Sequence, residues 1–208
     1  MDSFRPDSAL VALVQASPNH GDRRGRAPDS IVLHYTGMPT AEGALAQLCN
    51  PQAEVSAHYF VFEDGRIVQL VPEERRAWHA GRSSWFDETD MNSASIGVEI
   101  VNPGHDGGLP PFPDAQIDAV IALCADIAAR RAIAPERILA HSDIAPGRKV
   151  DPGEKFPWAR LAAEGVGVWR EPASDRDGLI LGFGATGAAV ASLQRDLRAL
   201  GYGLDETG

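Results

Sequence analysis

The stretch Ile31-Val32-Leu33-His34-Tyr35 decides the fold, because so short and continuous an apolar, β-branched run reads as a buried strand. Three runs of the same kind follow: His58-Tyr59-Phe60-Val61-Phe62, Arg66-Ile67-Val68-Gln69-Leu70-Val71 and Ile96-Gly97-Val98-Glu99-Ile100-Val101. Gly, Pro, Asp and Asn bound them, the residues that end strands. Glu63-Asp64-Gly65 reads as the hairpin turn between the second run and the third. Ile138-Leu139-Ala140 reads as a further short buried strand leading into His141.

Helical periodicity appears outside these runs. Between Pro113 and Arg131, residues Ile117, Val120, Ile121, Cys124, Ile127 and Ala128 recur at helical spacing, with Pro113 and Asp114 where a helix start accepts them. Ala41 to Leu48 reads as a shorter helix capped by Thr40. Strands in the first half with helices packed over them predict a mixed α/β fold, a central β-sheet flanked by helices, over residues 1–169. Residues 1–28 are polar and rich in Pro, Arg and Asp, so they are expected to wrap the surface without entering the core.

Residues 170–178 turn polar and read as a linker. Residues 179–208 then form a small helical appendage in which Val190, Leu193, Leu197 and Leu200 make one stripe, closed by Gly201. That piece is too small to hold a core alone, so it is expected to dock on the first domain or to belong to a longer module.

Composition narrows the function. A net charge of −10 leaves no basic field for nucleic acid or anionic lipid, which points to a neutral or small substrate. Cys49 and Cys124 lie in no metal-binding spacing and read as core residues. No membrane segment is seen, and a monomer is expected. Met1-Asp2-Ser3-Phe4-Arg5-Pro6 lacks the basic and apolar regions of an export signal. The expectation is therefore a cytoplasmic protein, or one of the periplasm or cell envelope where a leader has been removed.

Two groups of residues could carry chemistry. His34 sits inside a strand, His141 at the end of another, and Asp151 in a turn ten residues further on that can fold back toward the same point. Two imidazoles and a carboxylate with a fourth position open are a catalytic type of zinc site, although a strand histidine can equally be a hydrogen-bonded core residue. Glu99 lies on one strand face with Gly97 and Val101, inside an apolar run. A carboxylate there is either held in a salt bridge or serves as a general base with a raised pKa. Lys149 lies two residues before Asp151, so an extended segment points both to one side, where an ammonium could stabilise an oxyanion or simply face solvent.

These residues resemble the type 2 N-acetylmuramoyl-L-alanine amidases, zinc enzymes of peptidoglycan that share a fold with peptidoglycan recognition proteins and T7-type phage lysozyme. The likeness runs through IVLHYTG (Ile31–Gly37), VSAHYF (Val55–Phe60), Trp78-His79-Ala80-Gly81, SIGVEIV (Ser95–Val101) and HSDIAPGRKVDPGEKFPW (His141–Trp158). The resemblance implies one Zn2+ held by His34, His141 and Asp151, with Glu99 as acid/base and Lys149 as transition-state stabiliser. It implies as substrate the amide between the lactyl group of (anhydro-)N-acetylmuramic acid and L-alanine in peptidoglycan or muropeptides. Tyr35, His58, Trp78, His79 and Asn102, in or beside the motifs, are expected to meet substrate, and Trp85 to flank the groove. His20 and His105 are expected to be solvated loop residues. The phage branch uses a tyrosine where this chain has Ala57, which leaves the role to Glu99. A binding-only recognition module is the other reading, and the complete ligand set argues against it. The tail resembles the first part of a three-helix peptidoglycan-binding module, through Gly184, Gly187, Val190, Leu193, Gln194, Leu197 and Leu200-Gly201-Tyr202.

Overall fold

The computed structural model describes residues 4–171 and 181–208. Eight strands are found among them: β1 (Leu13–Val14), β2 (His20–Asp22), β3 (Ser30–Tyr35), β4 (Tyr59–Val61), β5 (Ile67–Gln69), β6 (Arg75–Ala77), β7 (Ser95–Ile100) and β8 (Ile138–Ala140). Six form one sheet in the order β1-β5-β4-β7-β3-β8, and β2 pairs with β6 in a second, two-stranded sheet. β4 and β5 are the antiparallel hairpin expected around Gly65, whose backbone is left-handed and whose missing Cβ leaves room for the carbonyl of Ala115. The pairings β4–β7, β7–β3 and β3–β8 are parallel, which explains why the middle strands read as unbroken apolar runs.

Strand alternation sorts the central side chains into two layers. Ile31, Leu33, Tyr59, Val61, Ile96, Val98 and Ile100 pack against one long helix, which contributes Ile117, Val120, Leu123, Cys124 and Ile127. The helices are α1 (Ala41–Leu48), α2 (Met91–Ala94), α3 (Asp114–Arg131), α4 (His141–Ile144), α5 (Trp158–Ala163) and α6 (Ala188–Leu200), and the long one is α3. Burying each large aliphatic chain in that layer contributes about 1.5–3 kcal/mol. On the far side of the sheet, α1 covers Phe60, Val68 and Leu70, and a smaller cluster holds Val32, Ala80, Trp85, Met91, Leu139 and Ile144. Thr40 caps α1 by accepting from the Gly43 N–H, as its position before the helix predicts.

The N-terminal segment departs from its expected role as a wrap. β1 extends the main sheet and β2 pairs with Arg75–Ala77. Arg23 is buried and donates to the carbonyls of Glu73, Ser93 and Ser95. A polar segment enters the interior here because main-chain carbonyls from three places converge on one guanidinium.

Most of the expected linker, residues 172–178, lies outside the described residues. Beyond it, α6 ends at Gly201 in a left-handed conformation, as expected. The appendage touches the rest of the protein through the residues after that helix. Phe86 N–H donates to the Gly201 carbonyl, the Tyr202 ring lies edge-on to Trp85 at 5.1 Å between centroids, and the Tyr202 hydroxyl donates to Asp143 Oδ1. No residue of α6 is buried, so its apolar stripe is not the docking face.

Candidate functional site

The site is built on the sheet face opposite α3. His34 follows Val32 on the same side of β3, and the parallel register sets His34 beside Glu99 of β7. His141 opens α4 where β8 ends, and the Ser142 N–H donates to the Asp151 carbonyl, folding the 151 turn back onto it. Asp143 Oδ2 accepts from the Ala140 N–H and so fixes the start of that helix.

Three atoms converge. His34 Nδ1 and His141 Nδ1 are 2.9 Å apart, and Asp151 Oδ2 lies 3.2 Å from the first and 3.0 Å from the second. All three residues are buried. His141 Nε2 lies 3.1 Å from the Ala80 carbonyl, which can only accept, so that nitrogen carries a proton. A cation must therefore sit between His141 Nδ1 and the carboxylate. A proton joins two such atoms, whereas a metal ion joins all three. Tetrahedral ligands at about 2.0–2.1 Å from a metal lie about 3.3–3.4 Å from one another, close to the spacing found. The donor set therefore fits a metal ion.

Electrostatics agree with this. Burial, then the neighbouring His141, hold the His34 imidazole down at about 4, against the pull of Asp151. Burial alone would push the Asp151 carboxyl up, but hydrogen bonds with His141 and His34 outweigh it and hold it well below the usual range. Glu99 goes the other way. Burial first, and the Asp151 charge second, push its carboxyl up to about 8, with Lys149 opposing. Its Oε2 is fully enclosed and has no hydrogen-bond partner among the described residues. Among the described residues no cation touches it, so the salt-bridge reading of Glu99 fails.

A cavity of about 340 Å³ opens over these groups, and His34, Glu99, His141, Lys149 and Asp151 all line it. Tyr35, Trp78 and His79 line it too. His58 and Asn102 do not. His58 is fully buried, with Nδ1 accepting from the Gly97 N–H and Nε2 beside Arg23 and the Arg75 carbonyl. Asn102 is buried and spends its amide on the Pro110 carbonyl and the Gly104 N–H. Both thus bond to main chain and stand behind the cavity wall. Trp85 is likewise buried, packed on Tyr202 rather than flanking the groove.

Other contributors were hidden in the sequence. Met38, Gln47 and Val55 line the cavity from α1 and the loops around it, and nothing in their local pattern marks them. His105 and His20 were expected in solvent. His105 is exposed as expected, and it also donates to Glu154 and accepts from the Tyr35 hydroxyl at 3.0 Å, tethering a rim residue; His20 is half-buried and belongs to β2.

Residues 24–154 match the family described as N-acetylmuramoyl-L-alanine amidase. The N-acetylmuramoyl-L-alanine amidase AmiD of Escherichia coli (strain K12) is 43% identical over 186 residues, which are 83% of this chain and 66% of AmiD. The chain thus spans just under two thirds of that relative. The 1,6-anhydro-N-acetylmuramyl-L-alanine amidase AmpD of Enterobacter cloacae is 33% identical over 71% of this chain and 86% of its own. Among solved structures, E. coli AmiD in complex with the substrate anhydro-N-acetylmuramic acid-L-Ala-D-gamma-Glu-L-Lys superposes with a TM-score of 0.74 at 37% identity, covering 91% of this chain and 82% of that one. AmpDh3 of Pseudomonas aeruginosa, in complex with anhydromuramic pentapeptide, gives 0.73 at 33% identity over 100% of this chain and 84% of that one.

Proposed function

The chain belongs to the N-acetylmuramoyl-L-alanine amidase family, and on that premise we propose that its metal is a single Zn2+ held by His34, His141 and Asp151. The observation that carries the reading is the convergence of three ligand atoms within 3.2 Å beside the unpartnered Oε2 of Glu99. The reaction is hydrolysis of the amide joining the lactyl group of N-acetylmuramic acid to L-alanine. Zinc, when bound, supplies a Lewis acid that polarises a carbonyl and acidifies a water.

The rest of the chemistry falls to this chain's own groups. Burial and the Asp151 charge push the Glu99 carboxyl up in the metal-free site; a cation bound between His34, His141 and Asp151 would favour its ionised form, in which it can take a proton from the attacking water and return it to the departing alanine nitrogen. Lys149 lines the same cavity and holds the negative charge that develops on the former carbonyl oxygen. Tyr35 and Trp78, on the cavity wall, offer a hydroxyl and an aromatic face to the sugar and peptide. Because AmiD and AmpDh3 are seen with anhydromuramyl peptides, an anhydro-muropeptide is the proposed substrate. Residues 179–208 are proposed to be part of a helical peptidoglycan-binding module joined through the 170–178 linker.

The reading is tested by measuring bound zinc and following release of free peptide from an anhydro-muropeptide and from intact sacculus. Stoichiometric zinc with peptide release from the muropeptide is the expected result. A protein saturated with zinc that releases no peptide from either substrate would overturn it.

A further inference from the structure

The structure assigns to His79 a positioning role: it fixes which nitrogen of His34 carries the proton, so that His34 Nδ1 presents a bare lone pair to the metal. The inference rests on the metal site proposed above, and it follows from an ordered chain of donors. The Ser95 hydroxyl lies 2.5 Å from the Met91 carbonyl, which can only accept, so its proton is committed there. His79 Nε2, 3.3 Å from Ser95 Oγ, must then be the donor. A neutral imidazole has one donor and one acceptor, so His79 Nδ1 accepts. His34 Nε2 lies 3.0 Å from it and supplies that proton. Nothing is left on His34 Nδ1, the atom that faces His141 and Asp151.

His79 is held for this task from two sides. Its own N–H and that of Ala80 both donate to Asn92 Oδ1, at 2.9 and 2.8 Å. Its ring lies directly over Gly97, where an added Cβ would come within 2.4 Å of His79 Cγ, so only glycine at that strand position admits the imidazole. The next residue serves the second imidazole, since the Ala80 carbonyl accepts the His141 Nε2 proton. One short segment therefore sets the tautomer of both ligands. One face of β7 supplies what His79 needs: Ser95 as acceptor and Gly97 as space.

With both ring nitrogens engaged, His79 on the cavity wall has neither free to bond substrate. Outer partners of metal-bound histidines typically change metal affinity about 10–100-fold. His79→Leu should weaken zinc binding by that factor, read by competition with a chelating dye. His79→Asn should restore most of the loss, because the asparagine Oδ1 can stand where Nδ1 stood. Should the leucine variant fail to fold, Ser95→Ala tests the same chain by removing the acceptor from His79 Nε2, and it should weaken zinc binding by a smaller factor. Long-range ¹⁵N–¹H spectra of the unsubstituted protein give a readout that needs no variant: protons are expected on His79 Nε2 and His34 Nε2, with and without zinc. A proton on His79 Nδ1, zinc affinity unchanged in both His79→Leu and Ser95→Ala, or an asparagine variant as weak as the leucine one would overturn the assignment. Absence of zinc binding by the unsubstituted protein would instead sink the metal site itself.

Discussion

His34 and Glu99 stand directly opposite each other in the parallel ladder between β3 and β7. A ligand for the proposed zinc and the group proposed to move protons are thus spaced by backbone hydrogen bonds rather than by flexible loops. Placing both on adjacent central strands fixes their separation against thermal motion, which preorganised catalysis requires.

Glu99→Gln follows from that placement. Removing a positioned acid/base typically costs about 10²–10⁴ in rate, so kcat should fall by that factor while zinc content stays stoichiometric. The melting temperature should hold or rise, because the enclosed Oε2 of Glu99 has no partner whose charge would be stranded. A zinc-loaded variant with near-normal turnover would remove Glu99 from the mechanism.

The metal site should also act as a staple. A ligand that binds only the folded state stabilises it by RT ln(1 + [L]/Kd), so a strong chelator should lower the melting temperature of the unsubstituted protein. His34→Ala should lack both zinc and activity, and its melting temperature should not respond to chelator. Retained zinc and turnover in that variant would show the ligand set to be wrong.

Much of this was legible in the sequence, for a definite reason. His34, Glu99, His141 and Asp151 lie in or beside short apolar elements whose periodicity announces itself, and α3 carries its stripe over 18 residues. What stayed hidden are groups whose partners are remote. Arg23 was read as part of a surface wrap because the carbonyls it binds lie 50 to 72 residues away. Ser95 and Gly97 matter only once His79 lies across them, and strand periodicity carries no trace of that. His58 and His79 look alike in sequence, and only the structure separates a fully buried buttress from a cavity wall.

Glu73 tests the hidden part of the framework. Its buried carboxylate accepts from Tyr59, Arg130 and Arg131. Burial would push the carboxyl up, but those hydrogen bonds outweigh it and hold it at about 2. The folded-state pKa is therefore depressed below the unfolded value of about 4.3, so the stabilisation is full above that pH and is lost as pH falls toward 2. Because both arginines are partly exposed, Glu73→Gln should cost about 2–3 kcal/mol at neutral pH, less than the ~3–5 kcal/mol of a fully buried pair. The gap between the two proteins should shrink on acidification from about pH 4.5 to about pH 2. Denaturant titrations across that range check this, and a gap independent of pH would show that the carboxylate charge is not what stabilises.

The appendage makes the last test, because it reaches the turn that carries His141. The Tyr202 hydroxyl donates to Asp143 Oδ1 at 2.7 Å while Asp143 Oδ2 holds the Ala140 N–H at the start of α4. Tyr202→Phe keeps the ring against Trp85 and removes one hydrogen bond to a carboxylate, so it should cost about 1.5–3 kcal/mol at most. A chain ending at Glu171 loses more, since Trp85, 5% exposed, would be uncovered on the face where Tyr202 now packs. At about 2–4 °C per kcal/mol for a protein of this size, its melting temperature should fall by several degrees. Chemistry should survive, because every residue proposed to act in it precedes Trp158 and Asp143 keeps its bond to the Ala140 N–H. Peptide release from a small anhydro-muropeptide, measured well below the lowered melting temperature, should therefore stay close to that of the full chain. A shortened protein that is folded and saturated with zinc yet has lost turnover would show that the Tyr202–Asp143 contact sets the position of His141.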